Sequence, residues 1–276
     1  MRSRLKRLIN ICIPLIVRKW LAIWVNRQPW LDHSNRGWWA TQLILDLAEK
    51  DITAYHKFLW RYHLSYAESY ETNIRFGYGN LNETRKIFFS ELVFHLRDLG
   101  IKPETDIKSV LEVGCSLGYL LRYMESNVFQ SATILEGNDI DKYSIEEGKK
   151  YLQLRDSRVN LMHGDMEGLE EIIGDNKYDV VIGAGILLYL KQDQAKKLVA
   201  RMMKHTNTML VLTGLAHPKI DNAKLDSSVT RERDKTWIHN IDRMISEAGG
   251  RIVARRWEGD KVVDGNTVYF LFAVPA

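Results

Sequence analysis

Residues 109–118 read Ser-Val-Leu-Glu-Val-Gly-Cys-Ser-Leu-Gly, and no other stretch restricts the fold of this chain as much. Val110, Leu111 and Val113 form a short apolar run of the kind that is buried on both faces of a parallel sheet. Gly114 and Gly118 then permit a tight turn in which the backbone approaches a ligand closely. Residues from Tyr119 to Glu125 read as the helix that follows, with its first free N–H groups aimed at that ligand. A strand, a glycine-marked turn and a helix in this order suit a nucleotide-like cofactor. The spacing Gly-x-Ser-x-Gly lacks the third glycine of Gly-x-Gly-x-x-Gly, which cradles a pyrophosphate, so a cofactor without phosphates is expected.

Leu111 to Gly118 resembles the first motif of class I S-adenosylmethionine-dependent methyltransferases, in which an acidic residue precedes glycines at alternate positions. Here Glu112 is the acid, and Ser116 stands where the family usually has a second glycine. The segment from Ala132 to Asp141 resembles the second strand, which ends in a carboxylate that holds the ribose hydroxyls. A carboxylate accepts two hydrogen bonds and a cis-diol offers two, which suits Asp139; Glu136 and Asp141 compete with it, and Ile140 joins the cofactor set. Val159 to Met166 resembles the third strand, implying that Asp165 meets the adenine amino group while Met166 packs on the ring. Tyr178 to Tyr189 looks like the fourth strand and its exit loop, which places Gly183 beneath the methionine part of the cofactor. The four motifs fall in order, and the resemblance spans about residues 105 to 275. It implies S-adenosyl-L-methionine as cofactor and an α/β, Rossmann-like, mostly parallel seven-stranded sheet whose last strand reverses direction.

At 45% hydrophobic content, 276 residues suffice for one substantial core with an appended segment. The organisation expected is a basic amphipathic helix over 1–30, a helical cap and lead-in helix over 31–104, and the cofactor-binding domain over 105–276. Glu83 to Leu99 reads as the lead-in helix, stopped by Gly100. The second half should carry helices at Gln192 to Lys204 and Lys235 to Ala248, and strands at Met209 to Thr213, Arg251 to Trp257 and Thr267 to Val274. Cys12 and Cys115 lie in unlike contexts, one in an apolar helix and one in the glycine turn, so a disulfide is not expected and a reducing compartment is. No metal-ligand spacing occurs, and no metal is expected.

Charge is distributed unevenly. Before Asp32 there is no acidic residue, yet Arg2, Arg4, Lys6, Arg7, Arg18, Lys19 and Arg27 are all there. The rest of the chain carries 32 basic against 35 acidic residues, which gives no general footprint for nucleic acid. On a helical wheel Leu5, Leu8, Ile9, Cys12, Ile13, Ile16, Trp20, Ile23 and Trp24 share one face, with Arg4, Arg7, Asn10, Pro14 and Arg18 opposite. Asn10, Pro14, Arg18 and Lys19 interrupt the run too often for a membrane span. Two readings stay open for residues 1–27: a helix lying on an anionic membrane at its cytoplasmic surface, or a helix packed on the domain.

Methyl transfer to a hydroxyl needs alignment and a base. His217, after the fifth strand, and His239 are the candidate catalytic residues. In the stretch ahead of the lead-in helix, Arg75 could pair with the cofactor carboxylate, and Tyr78 lies beside it with Tyr66, Tyr70 and Asn80. Trp237, at helical spacing with Ile241 and Ile245, reads as core. The expected activity is O-methylation of a small-molecule, sugar or lipid-linked acceptor; the alternatives are a non-catalytic S-adenosylmethionine-binding scaffold at the membrane and an RNA or protein methyltransferase.

Overall fold

A computed structural model describes residues 13–64, 81–231, 234–263 and 266–276. Its centre is a seven-stranded sheet of order β3-β2-β1-β4-β5-β9-β8. The strands are β1 (Ser109–Val113), β2 (Ile134–Asp139), β3 (Asn160–His163), β4 (Tyr178–Ala184), β5 (Thr206–Thr213), β8 (Gly250–Val263) and β9 (Asn266–Pro275). Strands β1 to β5 pair in parallel, and β9 runs antiparallel to both neighbours. Every residue of β1 is buried, as a central strand covered on both faces requires. Alternation divides the core in two: Val110, Val180, Ile182, Met209 and Val211 face one layer, and Leu111, Val113, Val181, Leu210 and Leu212 the other.

The flanking helices follow from capping and periodicity. The lead-in helix is Glu83–Asp98, its first turn capped by the Asn82 side chain accepting from Arg85 N at 2.9 Å. Phe88, Phe89, Leu92 and Leu96 recur at helical spacing and enter the sheet core, so this helix packs on the sheet. In chain order the helices are α1 (Leu15–Asn26), α2 (His33–Leu43), α3 (Leu45–Lys50), α4 (Ile52–Arg61), α5 (Glu83–Asp98), α6 (Pro103–Asp106), α7 (Tyr119–Asn127), α8 (Lys142–Gln153), α9 (Leu169–Ile173), α10 (Gln192–Lys204) and α11 (Ile241–Glu247). Helices α1 to α4 form the cap around a core of their own, with Ala22, Ala40, Ile44, Leu47, Tyr55, Phe58 and Leu59.

Two expectations need correction. Residues 235–248 are not one helix: Trp237–Ile238 is a short strand, β7, paired antiparallel with Val229–Thr230, β6, and the helix begins only after Asn240 caps Arg243 N. Trp237 is therefore half-buried on a hairpin, not a helical core residue. In α1, Arg18, placed on the polar face, is packed inward, while Pro14 of that face is exposed. Arg18 is buried beside Ala22, bonded to Asp46 at 2.5 and 2.8 Å and to the Leu43 carbonyl at 3.0 Å. Ile16, Trp20 and Trp24 point outward instead.

Candidate active site

The glycine turn adopts the backbone that its sequence allows. Gly114, Ser116 and Gly118 have φ of +73°, +49° and +75°. A Cβ on Gly114 would lie 2.3 Å from Ile186 Cγ2, so glycine is needed there both for the conformation and for the close passage of the β4 exit loop. Gly118 is the residue from which α7 starts. At Gly183 the side-chain direction is filled by Met202, Leu212 and Ile186, so the sheet core leaves no room there for a side chain.

Asp139 closes the opposite side. Its carboxylate accepts from Ser116 N at 2.8 Å and Asp141 N at 2.9 Å, which binds the end of β2 to the turn after β1. Two carboxylate oxygens carry about four acceptor positions, so capacity remains for a diol. Burial pushes the Asp139 carboxyl up to about 6, against the pull of these backbone donors. The competing acids are otherwise engaged. Glu136 accepts from Tyr178 Oη and Asn160 Nδ2, while Asp141 caps α8, accepts from Ser144 Oγ and contacts His63.

Around the turn lie buried polar atoms without a hydrogen-bond partner: Glu112 Oε2, Ser116 Oγ and Asn138 Oδ1. Such atoms are costly unless a ligand meets them, and they fit a polar, phosphate-free cofactor. Burial raises the Glu112 carboxyl to about 8, partly relieved by Arg85 in the first turn of α5. Arg85 is thus a cation near Glu112 that carries no sequence signal of its own; Arg75 and Tyr78 lie outside the described residues. Ile140 is half-buried after Asp139, and Met166 packs beside the core at the turn after β3.

At that turn Asp165 Oδ1 accepts from Glu167 N at 3.1 Å. Its other oxygen is met from the cap by Lys57 Nζ at 2.5 Å and Arg61 at 3.2 Å. Lys57 also reaches Glu167 at 2.5 Å, and His63 Nδ1 lies 2.5 Å from Asp141. Helix α4 therefore covers the ends of β2 and β3. On the side of β4 it brings His56 and Trp60 against Tyr189, with ring centroids 5.2 and 5.5 Å away. His56 Nε2 donates to the Lys235 carbonyl, linking the cap to the hairpin. In sequence these cap residues look like an ordinary solvated helix face, and only Lys57 and Arg61 at i, i+4 mark a common side.

The two histidines chosen from sequence have their accepting nitrogens engaged. His217 Nδ1 accepts from Lys219 N and Ile220 N at 3.2 and 3.0 Å, so Nε2 carries the proton of the neutral ring. His239 Nε2 faces the Leu187 carbonyl at 2.9 Å, leaving Nδ1 to accept from Ser228 Oγ at 2.6 Å. Burial lowers the His239 pKa to about 4. The His217 ring thus braces the segment after β5, and the His239 ring ties the segment around β7 to the β4 exit loop.

A mostly parallel sheet with this strand order, with a glycine turn and an acid at the carboxyl ends of β1 and β2, is a Rossmann-like α/β fold, in which ligands bind at the carboxyl ends of the strands. Residues 110–208 match the family model of a methyltransferase domain. The matched span is a methyltransferase domain within the chain, and S-adenosyl-L-methionine is the cofactor of such a domain. Among solved structures, magnesium protoporphyrin IX methyltransferase from Synechocystis PCC 6803 with bound SAH is similar over 80% of this chain and 100% of its own, at 18% identity and a TM-score of 0.56. An S-adenosylmethionine-dependent methyltransferase from Clostridium acetobutylicum ATCC 824 is similar over 76% of this chain and 97% of its own, at 11% identity and a TM-score of 0.53. The glycopeptide N-methyltransferase MtfA is similar over 68% and 96%, at 15% identity and a TM-score of 0.50. A comparison with curated protein sequences finds no match. At these identities the structural likeness is one of fold, and the printed acceptors differ among the neighbours.

Proposed function

We propose that this methyltransferase transfers its methyl group to a hydroxyl of a small, sugar or lipid-linked acceptor at the cytoplasmic face of a membrane. The observation that carries this reading is the outward row on α1. Ile16 is 78% exposed, Trp20 64% and, just beyond the helix, Trp30 70%, with Trp24 on the same side. A helix that buries an ion-paired arginine and turns tryptophans outward suits a surface whose depth accommodates indole rings. The four basic residues at positions 2, 4, 6 and 7 and the exposed Arg27 add charge that favours anionic lipid. Among the described residues no helix is long and apolar enough to cross a membrane, so the association would be peripheral.

In this reading the nucleoside lies between Asp139 and the turn of Asp165 and Met166, and the methionine part near Glu112, Gly114 and Arg85. When bound, the cofactor supplies an electrophilic methyl group. The acceptor approaches over the β4 exit loop, where His56, Trp60, Tyr189 and Trp237 give an aromatic wall suited to an apolar ring or chain; the Trp237 indole N–H is buried without an acceptor. A hydroxyl nucleophile also needs a proton acceptor. His217 and His239 would have to give up their present partners to serve, and so would His56, whose Nε2 donates to the Lys235 carbonyl; burial keeps the His56 and His239 rings below the usual histidine range and hence neutral. His217 and His239 are the candidate bases, with His56 beside Tyr189 as a third.

Vesicle flotation combined with labelled-methyl transfer tests the proposal. Full-length protein should float with anionic vesicles, less so at high salt, and Trp20→Ser with Trp24→Ser should reduce recovery by about tenfold. Label should enter the lipid fraction of a membrane extract in preference to soluble metabolites. Equal recovery of both forms with the soluble fraction, and label confined to soluble metabolites, would remove the membrane reading.

A further inference from the structure

We propose that Lys57, Arg61 and His63 latch the cap over the cofactor's nucleoside, so that S-adenosylmethionine and S-adenosylhomocysteine exchange only when these contacts open. The inference rests on the reading that places adenine beside Asp165. It starts from where the cap contacts end. Lys57 and Arg61, one helical turn apart on α4, meet the same Asp165 oxygen, and Lys57 also holds Glu167. His63, just past the helix, meets Asp141. These carboxylates belong to the turns that follow β2 and β3, the two strands bordering the proposed nucleoside site.

Each of these partners also shapes the pocket. Asp141 donates its N–H to Asp139, whose other oxygen takes Ser116 N, so the contact of His63 continues through hydrogen bonds into the glycine turn. Asp165 keeps the lone pairs of Oδ1 directed by Glu167 N while the cap cations occupy Oδ2. The cations therefore do not fill the whole carboxylate; they orient it and leave acceptor capacity for an amino group. His63 sits at φ +52°, a backbone region that a residue with a side chain keeps when its surroundings hold it there. Lys57, Arg61 and Asp165 are only partly buried, so solvent and salt screen their attraction. That strength suits contacts that must open during each exchange.

Lys57 and Arg61 are positioning residues on this account. The test measures equilibrium affinity and release rate of S-adenosylhomocysteine for wild type, Lys57→Met with Arg61→Met, Lys57→Arg and Asp165→Asn, with thermal melts to establish folding. The double variant should bind about tenfold more weakly, chiefly through faster release. Wild-type affinity should fall between about 0.05 and 0.5 M salt, and the double variant should lose that dependence, because the ligand itself carries balanced charges. Lys57→Arg should restore most of the affinity. A folded double variant with unchanged or tighter binding would overturn the latch. If Asp165→Asn weakens binding while the double variant does not, the adenine placement stands and the latch alone fails; if neither changes binding, the adenine placement fails as well.

Discussion

Gly114→Ala is expected to cost about 2–5 kcal/mol in stability and to weaken S-adenosylmethionine binding by at least about tenfold. Two causes add. The position has φ +73°, where an L side chain costs about 1–2 kcal/mol, and the new Cβ would stand 2.3 Å from Ile186 Cγ2. Relief requires moving either the glycine turn or the β4 exit loop, and both border the proposed cofactor site. Ser116→Gly gives the opposite sign. With φ +49°, Ser116 holds a conformation that glycine adopts freely, so this variant should be up to about 1 kcal/mol more stable, reduced by the extra freedom of glycine in the unfolded chain. Chemical denaturation and calorimetry read both effects. Wild-type binding by Gly114→Ala would show that the turn is not the cradle.

The second large effect is a dependence of stability on pH in the protein without cofactor. Burial raises Glu112 from 4.5 to about 8 and Asp139 from 3.8 to about 6. An acid whose pKa is raised by folding contributes stability below its unfolded value and loses it as pH rises through the folded value. Between about pH 4 and 6.5, His239 acts in the opposite direction, because burial lowers its pKa to about 4 and folding then gains as pH rises. The window from about pH 6.5 to 8 therefore isolates Glu112. Stability without cofactor should decline across it, by an amount on the order of a few kcal/mol, and Glu112→Gln should flatten the decline. The cofactor's positive charges should offset the loss, so that the stabilisation it gives grows with pH. A flat profile in wild type, or the same decline in Glu112→Gln, would show that Glu112 does not titrate in this way.

How much of this could be read from sequence differs by element. The run from Val110 to Gly118 gave both the central strand and its turn, because burial on two faces and positive φ leave few residue choices. Helix α10 has the expected bounds, Gln192 to Lys204, since its apolar spacing is uninterrupted. The segment from Lys235 to Ala248 misled, because Trp237, Ile241 and Ile245 fit a helical period while Trp237 and Ile238 are held by β6, several residues upstream. Long-range partners were the other obstacle. Arg18 looked like part of a solvated face until Asp46, 28 residues on, met it in the cap core. Lys57, Arg61 and His63 were passed over for the same reason, since Asp165 and Asp141 lie about a hundred and about eighty residues away. For His217 and His239, position after the strand ends suggests chemistry, and the hydrogen-bond partners that hold both rings lie in loops whose contacts the sequence does not display.

Asp139 stands at the end of β2, where the glycine turn and the second strand meet, and is the proposed holder of the ribose. Calorimetric titration of S-adenosylmethionine into wild type and Asp139→Ala addresses this directly. Wild type should bind, and the variant should bind at least tenfold more weakly, about 1.4 kcal/mol or more. A folded Asp139→Ala protein with wild-type affinity would contradict the site described here.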